Sequence, residues 1–118
     1  MSKHAAIYIR VSSKSQDYAS QLADLKTWAA NQQMSVVWYE DTATGTNMIR
    51  PGMERLHKDL IAGKISTVAC WRLDRLGRTA KGLVSLFDEL IKYKVNLVSL
   101  KDGLDLSTSA GRLMANVL

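Results

Sequence analysis

The sequence predicts an α/β fold in which helices cover both faces of a mainly parallel β-sheet. Two observations lead to this prediction. Short apolar runs of strand length recur along the 118 residues. Longer segments whose apolar residues repeat at helical spacing separate these runs. Because strands that alternate with helices form βαβ units, we expect the strands to lie parallel.

The first part of the chain contains two predicted strands and one predicted helix. Residues 5–9 are a short, mostly apolar run that is typical of a buried strand. Residues 36–39 are β-branched and aromatic, which favours a second strand. Residues 16–33 predict a helix between them, because apolar residues recur at helical spacing: Leu22, Leu25, Trp28 and Ala29.

The middle of the chain predicts a loop, a helix and a third strand. Residues 41–50 are polar and indicate a loop. At about ten residues this loop is long for a compact domain, so it is a candidate functional segment. Pro51 suits the first turn of a helix, and Gly63 is placed to end it. Residues 67–71 follow as a strand. The apolar face of the helix consists of Met53, Leu56, Leu60 and Ile61.

Two further helices and a fourth strand are predicted in the last third. Thr79 is a candidate N-cap, and residues 95–100 are the fourth strand. A last helix begins near Ala110, and its apolar face still continues at Leu118. We therefore expect either a fragment of a longer protein or a terminal helix that needs a partner. The helix after Thr79 carries Leu83, Leu86, Phe87, Leu90 and Ile91 on its apolar face.

Composition narrows the class of protein. Hydrophobic residues make up 47% and charged residues 23%, as in a globular domain, and the length suits one domain spanning residues 1–118. No apolar run approaches the roughly 18 residues of a membrane helix. Residues 1–4 do not resemble a signal peptide. One cysteine, Cys70, and two histidines form no metal-ligand pattern, so we expect a cytoplasmic protein without a metal. The net charge of +5 favours an anionic partner such as nucleic acid.

Three polar clusters follow the first three predicted strands, at residues 8–13, 41–50 and 72–78. In open α/β sheets, sites form beyond the carboxyl ends of the strands, so we expect these clusters to converge. They supply a hydroxyl nucleophile, a carboxylate and guanidiniums that match phosphate oxygens. The arginines expected around one phosphate are Arg10, Arg50, Arg75 and Arg78.

Ser12 is the candidate nucleophile, because it lies two residues after Arg10 and clustered arginines favour its alkoxide form. Neither His4 nor His57 is placed as a general base, and the sequence has neither a G-x-S-x-G nor a P-loop motif. Plainer interpretations remain open at this point. Ser12 can serve as a turn or cap residue, and the arginines can be solvated surface residues. Asp74 can simply pair with a neighbouring arginine.

The combination of motifs is more specific than its parts. Residues 8–12, YIRVS, resemble the Y-x-R-V-S opening of the serine recombinases, the resolvase and DNA-invertase family. Residues 72–79, RLDRLGRT, resemble the L-D-R-L-G-R signature of that family. Gln16 and Gln21 follow Ser12 at the usual offsets, and residues 41–45 with the later Arg50 match the D-x-x-S/T-G loop. Residues 111–114, GRLM, resemble the start of the long dimerisation helix.

The resemblance implies site-specific DNA recombination. Ser12 would attack a DNA phosphodiester, form a 5′-phosphoserine link and release a 3′-hydroxyl, which later reverses the reaction without metal, ATP or other cofactor. Asp74 would transfer a proton or orient the arginines. The scissile phosphate would be bound by Arg10, Arg75 and Arg78. The phosphate or the loops of the site would be positioned by Arg50, Gln16 and Gln21. Ser13 is the rival nucleophile, but the family places the nucleophile directly after Arg-Val.

The resemblance also implies the partners. These are double-stranded DNA and further copies of the chain, as a homodimer that assembles into a tetramer on DNA. No membrane partner is expected. The family continues into a DNA-binding region beyond the catalytic core, so we expect residues 1–118 alone to bind DNA weakly and without sequence preference. Alternatives are a non-catalytic DNA-binding or assembly module of the same fold, and a small α/β phosphatase or nucleotide-binding protein.

Overall fold

A computed structural model describes residues 3–12, 18–43, 50–77 and 80–106. The described elements are, in chain order, β1 (His4–Ser12), α1 (Tyr18–Ala30), β2 (Val36–Ala43), α2 (Pro51–Ile61), β3 (Ile65–Cys70), α3 (Leu73–Leu76), α4 (Ala80–Lys92), β4 (Asn96–Ser99) and β5 (Leu104–Asp105). Strand and helix alternate from β1 to β4, as the sequence predicts.

The five described strands form one sheet in the order β2-β1-β3-β4-β5. The pairs β1–β2, β1–β3 and β3–β4 are parallel, and only β5 is antiparallel to its neighbour, β4. The chain moves outward from β1 to β2 and then crosses back to β3 on the other side of β1. In open α/β sheets, sites form where the strand order reverses in this way, beyond the carboxyl ends of the strands.

Helices pack on both faces of the sheet, so the predicted fold class is confirmed. On one face, Leu25 of α1 packs in a cluster with Ile7 and Ile9 of β1. On the opposite face, α2 and α4 bury their apolar sides in a larger cluster that includes Tyr8. The helical members of this larger cluster are Leu56, Leu60, Phe87 and Leu90.

The sheet differs from the sequence prediction chiefly at its carboxyl edge. β1 continues to Ser12 and β2 to Ala43, so Asp41 is a strand residue rather than part of a loop. The register pairs Arg10 with Asp41 and Ser12 with Ala43. The sequence pattern misses this extension because ladder hydrogen bonds join backbone groups, whatever the polarity of the side chains. The sequence pattern does not predict β5 either.

The end of α2 matches the sequence prediction, whereas one side chain of α4 does not. Gly63 ends α2 with a φ of +77°, as predicted, because this left-handed conformation favours glycine. Ile91, in contrast, is 67% exposed and does not belong to the buried side of α4. The Thr79 cap and the helix predicted from Ala110 lie outside the described residues. Within the described ranges, no helix is both long and apolar enough to cross a membrane.

Candidate active site

The carboxyl ends of β1, β2 and β3 lie at one edge of the sheet because these strands are parallel. Ser12 is the last residue of β1, and its Cα lies opposite that of Ala43, the last residue of β2. α3 begins directly after β3 at the same edge. The convergence of the three polar clusters on one edge is therefore confirmed for their described parts.

A hydrogen-bonded chain of three side chains links the strands to the arginine before α2. The Tyr8 hydroxyl donates to Asp41 Oδ2 at 2.7 Å. Arg50 Nη2 donates to the Tyr8 hydroxyl oxygen at 3.0 Å and to the Leu76 carbonyl of α3 at 3.0 Å. The guanidinium also lies 5.6 Å from the centre of the Tyr8 ring. Arg50 is thereby held between β1 and α3.

Asp41 also satisfies the amino end of α2. Its carboxylate accepts hydrogen bonds from Gly52 N at 2.7 Å and from Met53 N at 2.9 Å. Pro51 has no N–H, and the Glu54 amide donates to the Arg50 carbonyl at 2.9 Å. The amides of the first helical turn, which need partners outside the helix, are thus accounted for. With its 4% exposed side chain, Asp41 joins β1, β2 and α2 at the site.

Arg10 and Gln21 form a second set of contacts. Arg10 Nη2 donates to the Asp74 carbonyl, so β1 is joined directly to α3. Gln21 of α1 is buried and donates from Nε2 to the Arg10 carbonyl at 3.2 Å. The backbone of Arg10 is therefore bound to α1, and its guanidinium is bound to α3. On α3 itself, the Asp74 side chain is exposed and the Arg75 side chain is half-buried.

The amino end of α3 is held from the end of β4, the neighbour of β3 on the side away from β1. Leu73 N donates to Asp102 Oδ2 at 2.8 Å, and the Ser99 hydroxyl donates to the same oxygen at 2.6 Å. Ser99 is the last residue of β4 and is 1% exposed. The Lys101 amide donates to the Trp71 carbonyl at 2.9 Å and joins the segment after β4 to the segment after β3.

Burial shapes the titration of two groups near the site. Burial and, after it, the hydrogen bond to Asp41 together raise the pKa of Tyr8 to about 12, against the lowering effect of Arg50. The phenol therefore stays protonated at neutral pH and remains a donor to Asp41. Burial likewise raises the pKa of the Cys70 thiol to about 12. Cys70 is an inert member of the core at the end of β3.

Both histidines lie away from this edge, as expected from the sequence. His4 is the first residue of β1, at the opposite end from Ser12, and its Nε2 lies 2.9 Å from the Tyr39 hydroxyl. His57 of α2 contacts Glu89 of α4, with 2.6 Å between Nε2 and Oε2. Across the described ranges, His, Cys, Asp and Glu side chains do not gather in groups of three or more that could hold a metal ion.

Asp74 and Arg75 belong to α3, and the guanidiniums of Arg10 and Arg50 donate to carbonyls of the same helix. Gln21 donates to the Arg10 carbonyl. The backbone of Ser12 lies at the same edge. Gln16, Ser13 and Arg78 lie outside the described residues. The catalytic and phosphate-binding roles of all these residues stay predictions. What the arrangement offers chemically is a set of permanent positive charges with a carboxylate beside them, which suits a phosphate that gains charge in a transition state.

Sequence reasoning missed two contributors to this site. The first is Tyr8, which the sequence analysis names only as part of the Y-x-R-V-S motif. Because it lies two residues before Arg10, both side chains are on the same side of β1. The second is Asp102, which has no local signal because its partner amide lies 29 residues away. Asp41 is also a motif letter, but its contacts to α2 cannot be read from its neighbours in the sequence.

Comparison with known proteins gives one consistent result. A family model described as the resolvase N-terminal domain matches residues 5–118. The serine recombinase gin of Escherichia phage Mu is 39% identical over 111 residues, which cover 94% of this chain and 54% of that protein. The DNA-invertase hin of Salmonella typhimurium is 36% identical over 111 residues, which cover 94% of this chain and 55% of that protein. The chain therefore spans about half the length of these relatives.

Solved structures agree with the sequence relatives. The crystal structure of the N-terminal catalytic domain of TP901-1 integrase superposes with a TM-score of 0.83 at 31% identity, covering 98% of this chain and 90% of that one. A resolvase family site-specific recombinase from Streptococcus pneumoniae has a TM-score of 0.78 at 27% identity, covering 98% and 85%. The motifs, the sheet order and these matches agree: the chain belongs to the resolvase N-terminal domain family, together with serine recombinases and DNA-invertases.

Proposed function

We propose that this chain is the catalytic domain of a site-specific recombinase that cuts, exchanges and rejoins double-stranded DNA through a covalent link to Ser12. The observation that carries the proposal is the meeting of Arg10 and Arg50 on α3, at the edge of the sheet where β1 ends in Ser12. Homodimers that assemble into tetramers on DNA are part of the proposal.

The proposed reaction is a reversible transesterification. Ser12 Oγ loses its proton and attacks the phosphorus, a phosphoserine ester bond forms at the 5′ side, and the bond from phosphorus to the 3′ oxygen breaks. The leaving 3′ oxygen takes up a proton and becomes a hydroxyl. Rejoining runs the same steps backward, so the ester energy is conserved, and neither ATP nor a metal ion is needed for the balance.

The arginines stabilise the charge that develops on the phosphoryl oxygens. A guanidinium stays charged at every relevant pH and offers paired donors to phosphate oxygens. The proposed phosphate ligands are Arg10, Arg75 and Arg78. Gln21 helps to position Arg10 by donating a hydrogen bond to its carbonyl. Asp74, exposed on α3, is the proposed partner for the proton that moves between the serine and the 3′ oxygen.

The test is capture of the covalent adduct. The full-length gene product is incubated with genomic DNA from its own source organism and stopped with detergent. The attached peptide is identified by mass spectrometry, and the attached DNA ends are sequenced. We expect a phosphoserine at Ser12, no adduct from Ser12→Ala, and clear adduct from Ser13→Ala. An adduct on the Ser13 peptide would overturn the assignment, and binding of DNA without any adduct would favour a non-catalytic module.

A further inference from the structure

We propose that Asp102 is a positioning residue that holds α3, and with it Asp74 and Arg75, in place for the reaction. This inference rests on the recombinase function proposed above. Asp102 lies between β4 and β5, outside the motifs that identify the family in this sequence. Its effect on the reaction would pass through the backbone of α3 rather than through contact with DNA.

The carboxylate of Asp102 is oriented toward α3 by a hydrogen bond from β4. Its Oδ2 accepts from the Ser99 hydroxyl at 2.6 Å and from Leu73 N at 2.8 Å. Ser99 is buried in β4, so one of the two donors belongs to the rigid part of the fold. Backbone hydrogen bonds from Leu100 N to the Cys70 carbonyl and from Lys101 N to the Trp71 carbonyl hold the two strand exits side by side.

α3 needs such a partner because it is only four residues long. A single helical turn forms few internal hydrogen bonds and is unstable without tertiary contacts. Arg72, which flanks its amino end, makes no side-chain capping hydrogen bond. The amide of Leu73 must therefore find its acceptor elsewhere in the fold, and Asp102 is that acceptor.

Three side chains from three parts of the fold hold this one turn. Asp102 binds the amide of its first residue, while Arg10 and Arg50 bind the carbonyls of Asp74 and Leu76. If the Asp102 contact is lost, α3 can shift against the two arginines, and Asp74 and Arg75 shift with it. A displacement of about 1 Å at a reacting centre can slow a reaction by up to about 100-fold.

The same arrangement recurs at α2. There Asp41, from β2, accepts from the amides of Gly52 and Met53, and Arg50 precedes the helix. At this edge of the sheet, a carboxylate from another element thus accepts from the amino-terminal amides of both α2 and α3.

Two measurements test the proposal. The first is amide hydrogen exchange on the DNA-free protein. Asp102→Ala should speed exchange about tenfold or more at Leu73, Arg75 and Gly77, while the Glu54 amide in α2 changes little. The second is single-turnover cleavage of a duplex built from the DNA ends that the wild-type protein captures. Asp102→Ala should lower the rate at saturating DNA about tenfold or more and leave the half-saturating concentration within about twofold.

Matched variants separate positioning from folding. Asp102→Asn keeps an acceptor oxygen and should recover most of the cleavage rate. Asp105→Ala, in the same hairpin, removes the acceptor for the Asn96 amide instead and should affect neither α3 exchange nor cleavage. If Asp102→Ala fails to fold, Ser99→Ala serves in its place, because it frees the carboxylate from β4 and should slow cleavage about threefold.

Wild-type cleavage by a folded Asp102→Ala protein would overturn the inference, as would unchanged exchange at Leu73. A wild-type protein that forms no adduct would instead overturn the recombinase function. In that case the exchange measurement still decides whether Asp102 holds α3, because it needs no DNA.

Discussion

Arg50 donates a hydrogen bond to the Tyr8 hydroxyl oxygen at 3.0 Å, while the hydrogen of that hydroxyl goes to Asp41. The phenol is thus both acceptor and donor, and it is fully buried. This order of donors gives Arg50 one defined position between β1 and α3. An arginine before a helix would otherwise sample many rotamers, at a cost in entropy when it binds a phosphate.

Replacing Tyr8 should separate this role from ordinary packing. Tyr8→Phe keeps the ring but leaves Asp41 and Arg50 each without one partner, so we expect a loss of about 1–3 kcal/mol in the free energy of unfolding. Cleavage at saturating DNA should also slow. Urea unfolding and single-turnover cleavage measure the two effects.

The matched control is Tyr39→Phe. Tyr39 is also buried, and it also donates to a carboxylate, Asp59, at 2.6 Å. Its Cα lies opposite that of Tyr8, but its hydroxyl reaches His4 at the amino end of β1, away from the carboxyl edge of the sheet. The Tyr39→Phe variant should lose about as much free energy of unfolding as Tyr8→Phe but cleave DNA at the wild-type rate. Equal loss of rate in both variants would show that Tyr8 acts through general stability alone.

Asp41→Asn should be among the most destabilising polar changes at the site. Both carboxylate oxygens of Asp41 accept, one from Gly52 N and the other from Tyr8 and Met53 N. An asparagine has only one acceptor oxygen, so its NH₂ would face a donor, and we expect a loss of about 2–3 kcal/mol. Asp59→Asn is the control, with a smaller expected loss in the same urea titration. A tolerated Asp41→Asn would contradict this pattern of donors around the carboxylate.

Gly52 permits the close approach of α2 to β2. A Cβ at this position would lie 2.6 Å from the Glu40 carbonyl oxygen and 2.9 Å from its carbon. Although alanine favours helix, the clash with backbone should dominate, and Gly52→Ala should lose about 1–3 kcal/mol. Gly63→Ala meets no atom within 4 Å and bears only the cost of its φ of +77°, about 1 kcal/mol. The reverse order in thermal or urea unfolding would exclude this packing argument.

Stability should fall in alkaline solution. In the folded protein, the pKa of the Cys70 thiol is raised from 9.0 to about 12. The pKa of the Tyr8 phenol is raised from 10.0 to about 12. Above pH 9 the unfolded chain releases protons that the folded chain keeps. The free energy of unfolding should therefore be intact below pH 9 and decrease as the pH rises from 9 toward 12.

Thiol chemistry checks the Cys70 part of this prediction. A thiol reagent such as iodoacetamide should react with the native protein at pH 8 only slowly and with the urea-unfolded protein rapidly, because thiolate is the reactive form. Cys70→Ala should lose stability less steeply between pH 9 and 10 than the wild-type protein. Rapid native labelling would show that the thiol is accessible.

The alternation of strands and helices can be read from the sequence alone, and so can the sheet edge to which Arg10, Ser12 and Arg75 belong. This is so because burial imposes a period on each segment and because parallel strands bring their carboxyl ends together. The sequence also predicts the end of α2 at Gly63, since a left-handed residue there favours glycine.

Which side chains hold the arginines in place depends on tertiary packing. The polar pattern around Asp41 predicts a loop, yet ladder pairing with β1 makes it a buried strand residue beneath α2. Asp102 had no signal at all, because the amide it binds comes from a helix 29 residues earlier in the chain. A sequence pattern records how each segment divides its surface between core and solvent. Which donor meets which acceptor across the sheet depends on how the segments stack, and no local period carries that information.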